Sequence, residues 1–113
     1  MTGMLLQKIE EAGVAVLTLT EGIEEGEFAM SRLTRQETCR QLEILGRAAA
    51  DMPSAARAAL PEIDWVAWAS IAKTAVNDNP QVWQAVSELV PATLMWLRVY
   101  RNNEPDLFAT ILA

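Results

Sequence analysis

Apolar residues recur at helical spacing along most of the chain. Over the first 23 residues they alternate steps of four and three, at Leu5, Ile9, Ala12, Val16, Leu19 and Ile23. This spacing is typical of an amphipathic helix. The run GVAVLTLT within it is also rich in β-forming residues, which leaves a strand as the alternative. The length of the stripe favours the helix, and Gly22 and Gly26 predict its end.

The next segment has a stronger signal for the start of a helix. Thr34, Arg35, Gln36 and Glu37 have the form of a capping box, which predicts a helix with Thr34 as its N-cap. One apolar stripe follows, made of Leu42, Ile44, Leu45, Ala48, Ala49 and Met52, and Pro53 predicts its end. Arg40, Glu43 and Arg47 lie on another face at spacings of three and four, so we expect them to pair along the helix.

Two further helices are predicted before the polar sequence Asn77-Asp78-Asn79-Pro80. SAARAALP reads as a short alanine-rich helix closed by Pro61. A longer helix then starts with Asp64 as its N-cap, and one face carries Trp65, Trp68, Ala69, Ala72 and Val76. It should stop at the polar sequence, because the residue before a proline is pushed out of the α region.

The last long helix is predicted to start with Asn79 as N-cap and Pro80 as its first residue. It carries two apolar stripes, one of Val82, Val86, Leu89, Thr93, Trp96 and Tyr100 and one of Trp83, Val90, Leu94 and Leu97. Pro91 predicts a kink. A helix that is apolar on two sides is buried on two sides, and the second side is a plausible subunit interface. Residues 102–113, with Pro105, are predicted to form a short helix.

These patterns predict an all-α fold. Residues 1–113 should form a single domain, an up-and-down antiparallel bundle of four main helices plus short ones, which dimerises through helix faces. The hydrophobic fraction of 51% supports a real core. Nine basic and fifteen acidic residues give a net charge of −6, which argues against non-specific binding to nucleic acid.

Localisation and metal chemistry follow from a few counts. No signal peptide and no apolar run of about 18 residues is present, so we expect a soluble protein with no membrane partner. The single cysteine, Cys39, fits a reduced cytoplasmic setting. The chain has no histidine, which removes the commonest general base and metal ligand. With one cysteine as well, no ordinary zinc site can form, and we expect no metal or other cofactor.

Three blocks of the sequence resemble one family. SRLTRQETCRQLEILGRAA, LPEIDWVAW and VWQAVSELVPA are similar, in this order, to the HepT-like branch of the HEPN superfamily. The resemblance covers residues from about 5 to 100. It implies an up-and-down helical bundle that dimerises. Active members are ribonuclease toxins of toxin–antitoxin systems, each paired with a small nucleotidyltransferase antitoxin.

The catalytic motif of that family falls on the polar sequence between the second and third blocks. It is an arginine, four to six residues and a histidine, commonly with a tyrosine two residues later. Aligned from Trp65, the arginine falls at Ala72 and the asparagine that often follows it at Lys73. The histidine falls at Asn77 and the tyrosine at Asn79. The motif is therefore degenerate, and the segment is also several residues shorter than usual.

Each notable cluster has a structural reading beside the functional one. The polar sequence is either a helix stop and cap or a residual phosphate site in which Lys73 and the amides after Asn79 donate. The row of Arg40, Glu43 and Arg47 is either a solvated ion-pair stripe or the rim of a cleft or partner face. The tryptophans suit core or dimer packing, with a base-stacking platform as the alternative.

We expect a catalytically degenerate HepT-like protein that acts as a dimeric interaction or regulatory partner, with a nucleotidyltransferase as its candidate partner. Residual cleft residues would be Arg40, Glu43, Arg47, Lys73 and Asn77. One alternative is a divergent, metal-independent ribonuclease that uses Lys73 and nearby arginines on RNA. The other is a structural adaptor bundle with no link to nucleotides.

Overall fold

The computed structural model describes residues 2–73 and 79–103, and all regular structure within these ranges is helical. This confirms the all-α prediction. The helices are α1 (Thr2–Thr20), α2 (Glu25–Met30), α3 (Arg32–Ala50), α4 (Ser54–Ala59), α5 (Trp65–Lys73), α6 (Asn79–Gln84) and α7 (Val90–Asn103). A π-helical turn, Ala85–Leu89, joins α6 to α7 without a break.

Helix α1 confirms the first apolar stripe. Its core side is buried at Leu5, Ile9, Ala12 and Val16. The strand alternative for GVAVLTLT is wrong, because α1 runs through that sequence to Thr20. The helix ends before Gly22, whose φ of 77° lies in the left-handed region that glycine adopts without strain.

The start of α3 differs from its prediction. Ser31, not Thr34, is the N-cap, and its hydroxyl donates to Thr34 Oγ1 at 2.8 Å. Glu37 does not reach back to the backbone but binds side chains further along α3. The reason is the short helix α2, which the sequence did not predict. Ser31 is the single extended residue between α2 and α3, so the chain re-enters the helix directly after it.

The core lies between α1, α3, α5 and the continuous helix formed by α6, the π turn and α7 (Asn79–Asn103), which we call the C-terminal helix. Helix α1 packs against α3 and α7, and α3 packs against α5. Fully buried side chains come from each of these elements, including Leu6, Leu42, Leu45, Trp68 and Leu97. The predicted short helix α4 and the N-cap at Asp64 are confirmed, since Asp64 Oδ1 accepts the Ala67 N–H at 3.0 Å.

The C-terminal helix buries one face within this chain. The buried residues of the two predicted stripes are Val82, Val86, Val90, Thr93, Leu97 and Tyr100, which follow steps of four and three and mix members of both stripes. The other members, Trp83, Leu89, Leu94 and Trp96, are only partly buried. Burial on a second side therefore stays a prediction. The π turn lies immediately before Pro91. There the Val90 N–H donates to the carbonyl of Ala85, five residues back. Proline has no N–H to offer the preceding turn, and a π turn is one way a helix accommodates that loss.

Some predictions fall outside the described residues. They include the end of the tryptophan helix near Val76, the cap geometry at Asn79 and residues 104–113 of the predicted last short helix, whose first two residues, Asn102 and Asn103, belong to α7. Within the described part of the chain, no helix is long and apolar enough to cross a membrane.

Candidate functional site

The degenerate motif positions extend from the end of α5 to the start of α6. Ala72 and Lys73 are the last two residues of α5, and Asn79 is the first of α6. The side chains of these three residues, and Asn77 altogether, lie outside the description. The predicted phosphate site on Lys73 and the amides after Asn79 therefore stays a prediction.

A groove of about 460 Å³ lies beside this segment, between α5 and the C-terminal helix. We call it the α5 groove. Its floor is apolar, with Ile71 and Leu89 among its side chains. Its described polar lining consists of two carboxylates, two amides and a hydroxyl: Asp64, Glu88, Gln81, Gln84 and Ser70. No basic side chain occurs among these described lining residues. Such a lining repels phosphate groups and suits an uncharged or cationic partner.

The predicted pairing along α3 is confirmed for one pair and wrong for the other. Arg47 Nη2 lies 4.0 Å from Glu43 Oε1. Arg40 pairs with Glu37 rather than Glu43, through Nη2–Oε1 at 2.7 Å and Nε–Oε2 at 3.0 Å. Side chains on a helix lean towards its N-terminus, which brings Arg40 onto the residue three positions earlier.

The Arg40–Glu37 pair perturbs both groups. Hydrogen bonds from Arg40, and then from Gln41, lower the pKa of the Glu37 carboxyl from 4.5 to about 2. The same carboxylate raises the pKa of Arg40. Arg40 and Arg47 are 61% and 76% exposed, and neither lines a groove described in this section. The row is thus an exposed ion-pair stripe on α3.

A longer groove, not anticipated from the sequence, runs along the outer side of α1. We call it the α1 groove. It consists of two adjoining depressions, of about 520 and 380 Å³, that share Val14 and Leu17. The other walls are Ile23, Trp83 and Val86 in the first depression and Pro91 and Leu94 in the second. The missed signal was Val14, an apolar residue outside the α1 stripe that is 55% exposed.

Gly13 lies at a close contact between α1 and α7, next to the α1 groove. A Cβ atom at this position would lie only 3.0 Å from Leu94 Cδ2. Gly13 thus lets α1 and α7 approach more closely than a larger residue would allow. The side chains of Val14 and Leu17 then flank this close contact on the solvent side.

The tryptophans mainly pack, in line with the structural reading. Trp68 is fully buried, and Trp65, Trp83 and Trp96 are partly buried against the core. The rings of Trp83 and Phe28 lie 5.2 Å apart, centroid to centroid, which fixes α2 against α6. Trp65 Nε1 donates to the carbonyl of Leu60 at 3.0 Å.

Cys39 is half-buried against the core. Burial raises the pKa of its thiol, while nearby Arg35 opposes the change. A thiol with a raised pKa is a poor nucleophile at neutral pH. Among the described residues, no group of three or more Cys, Asp or Glu side chains could hold a metal ion.

Compared with known proteins, the chain matches no family model, no curated protein and no solved structure. Its resemblance to the HepT-like branch therefore rests on the three sequence blocks.

Proposed function

We propose that this chain is a HepT-like helical module that has lost ribonuclease chemistry and acts by binding other protein chains. The three sequence blocks and the all-helical fold support the family. The proposal includes an up-and-down bundle formed by residues 1–113, a homodimer, and a small nucleotidyltransferase as the further partner. A cytoplasmic location is expected from the single cysteine.

The loss of chemistry follows from the residues present. Metal-independent cleavage of RNA requires a group that moves a proton near neutral pH and a cation for the developing charge. The chain contains no histidine. Ala72 carries no charge, and the amide of Asn77 cannot exchange a proton at that pH. Asn79 also lacks the hydroxyl that partner enzymes adenylylate in the family.

The observation that carries the proposal is the lining of the α5 groove. Asp64 and Glu88 are carboxylates, and the other described polar lining residues are uncharged. A cleft for RNA needs basic groups near the phosphates. A groove with an apolar floor and a polar, acidic rim is instead suited to a segment of another protein.

Three forms of the chain test this proposal. We expect purified wild type to leave RNA intact in the presence of a chelator, and its expression alone to leave growth unchanged. Ala72→Arg with Asn77→His restores the motif arginine and histidine and should regain cleavage where the cleft is otherwise intact. Ala72→Arg with Asn77→Gln is the matched control, which supplies the cation without the imidazole and should stay inactive.

Cleavage by the wild type would overturn the proposal in favour of a divergent ribonuclease that uses Lys73. Binding to a small nucleotidyltransferase separates the module from a plain adaptor. We expect the two proteins to co-elute from a gel-filtration column. An adaptor with no link to nucleotides would elute alone.

A further inference from the structure

The two ends of the α1 groove carry opposite charges. Arg98 lines one end, beside Pro91 and Leu94, and Glu21 lines the other, beside Trp83 and Ile23. Both side chains are exposed, and neither forms a salt bridge with another described residue. Between them the lining is mainly apolar, through Val14, Leu17 and the residues opposite. The hydroxyls of Thr18, Thr20 and Ser87 lie near the Glu21 end, and the Glu10–Arg101 ion pair lies near Arg98.

The spacing of these charges follows from how α1 and α7 run. Glu10 pairs with Arg101, and Gly13, which comes later in α1, lies against Leu94, which comes earlier in α7. The residue numbers at these contacts therefore rise along α1 as they fall along α7. The two helices are therefore antiparallel, and Arg98 lies near the level of Glu10. Glu21, the residue after the end of α1, is then about 16 Å away along the helix axis, at about 1.5 Å per residue. The midpoint between the two charges falls between Val14 and Leu17.

We propose that the α1 groove docks the same groove of a second copy of this chain. A two-fold axis that passes between Val14 and Leu17 places each end of one groove on the opposite end of the other groove. Arg98 of one copy then meets Glu21 of the second copy, and the reverse pair forms as well. The apolar walls around Val14 and Leu17 face each other at the centre. Self-complementarity of this kind is what an isologous contact requires.

The charge pattern favours a second copy over an unrelated helix. An unrelated partner would need its own matching pair of charges at this separation, whereas a second copy supplies an Arg98 and a Glu21 that are already separated by that distance. Helix α1, about 28 Å long, and its neighbour present a face about 20 Å wide, so a dimer would bury roughly 1,100 Å² in total. This lies at the lower end for specific complexes. We expect a reversible dimer with a Kd on the order of 10 µM.

This inference rests on the homodimer of the proposed function and assigns that dimer a face. A chain that dimerises through another face would overturn the present assignment and leave the proposed function intact. A nuclease-active wild type would overturn the proposed function and leave the α1 dimer intact.

Charge exchange tests the two-fold pairing in the full-length chain. Arg98→Glu alone and Glu21→Arg alone each turn two attractive pairs into two repulsive ones. We expect each to weaken self-association at least about tenfold, by sedimentation equilibrium at low salt. A mixture of the two single variants restores opposite charges at both contacts. It should form a heterodimer about as tight as the wild type, and the double variant should recover a homodimer.

The apolar centre is tested by Val14→Asp, which should leave a monomer at about 100 µM, well above the expected Kd. Val66→Asp is the matched control, because Val66 is 81% exposed but lies on α5, away from the groove. It should dimerise as wild type, and circular dichroism should show that every variant keeps its helix content.

A wild type that is monomeric at about 100 µM, or charge-exchanged chains that fail to associate, would overturn the proposal. A chain shortened to residues 1–103 that dimerises when the full chain does not would also overturn the proposal, because residues 104–113 would then occupy the α1 groove of the full chain.

Discussion

Trp68 and Thr93 share a buried hydrogen bond. The indole Nε1 of Trp68 donates to Thr93 Oγ1 at 3.0 Å, across 25 residues of sequence. The Thr93 hydroxyl in turn donates to the carbonyl of Leu89, the last residue of the π turn, at 2.8 Å. Trp68 is 0% exposed and Thr93 2%. This relay ties α5 to the turn that precedes Pro91.

Replacing Thr93 with Val should therefore destabilise the fold by about 1–3 kcal/mol, because the buried indole N–H loses its acceptor. Thr93→Ser keeps the hydroxyl and removes only a methyl group, so its loss of stability should be smaller. Urea denaturation monitored by tryptophan fluorescence measures both. Equal losses for Val and Ser would mean that packing, and not the hydrogen bond, accounts for the effect.

Tyr100 offers a second long-range contact. Its hydroxyl accepts the backbone N–H of Glu62 at 3.1 Å, which fixes the segment before α5 to the end of α7. We expect Tyr100→Phe to lower the free energy of unfolding by about 1 kcal/mol. Hydrogen exchange should then be faster at the Glu62 amide. Met95→Ala, at an exposed position of the same helix, should leave that amide unchanged.

Replacing Gly22 or Gly26 with alanine should change stability in opposite directions. Gly22 has a φ of 77°, so Gly22→Ala places a side chain in the left-handed region and should cost about 1–2 kcal/mol. Gly26 lies within α2, and a Cβ there would meet nothing within 4 Å. Gly26→Ala should stabilise by up to about 1 kcal/mol through helix propensity. Thermal unfolding should place the wild type between the two variants, and the reverse order would contradict the helix end at Gly22.

The Glu37–Arg40 pair predicts a small dependence of stability on pH. Folding lowers the pKa of Glu37 from 4.5 to about 2, so the carboxylate is favoured in the folded state. Its contribution is fully present above pH 4.5 and is lost as the pH falls to about 2. The pair is exposed, so salt should screen the effect.

Glu37→Gln tests that dependence. The urea midpoint of the wild type should fall more between pH 5 and pH 3 than that of Glu37→Gln, as these values bracket much of the expected loss. The difference should shrink at high salt. Glu43→Gln is the matched control, because its contact with Arg47 is longer, at 4.0 Å. A Glu43 variant with the same response would show that the effect is not specific to Glu37.

Local chemistry was enough to predict several elements. The steps of three and four that place Leu5, Ile9 and Val16 on one face predicted α1, and Asp64 predicted the start of α5. Both are confirmed, since helical period and side-chain capping depend on residues within one or two turns of each other. The HepT-like blocks predicted a catalytic segment at Ala72–Asn79, and this remains a prediction.

The sequence by itself determined that the described residues are helical and that the stripes on α1 and α3 are buried at residues such as Ile9, Val16 and Leu42. It also determined that the chain has no histidine. Tertiary structure decided where α3 begins, because α2 packs back on α3 and leaves Ser31 as the only break. It also created the α1 groove, since Val14 and Pro91 are 77 positions apart in sequence and line the same depression because α1 packs against α7. Contacts of that range depend on how helices pack, which no local pattern encodes.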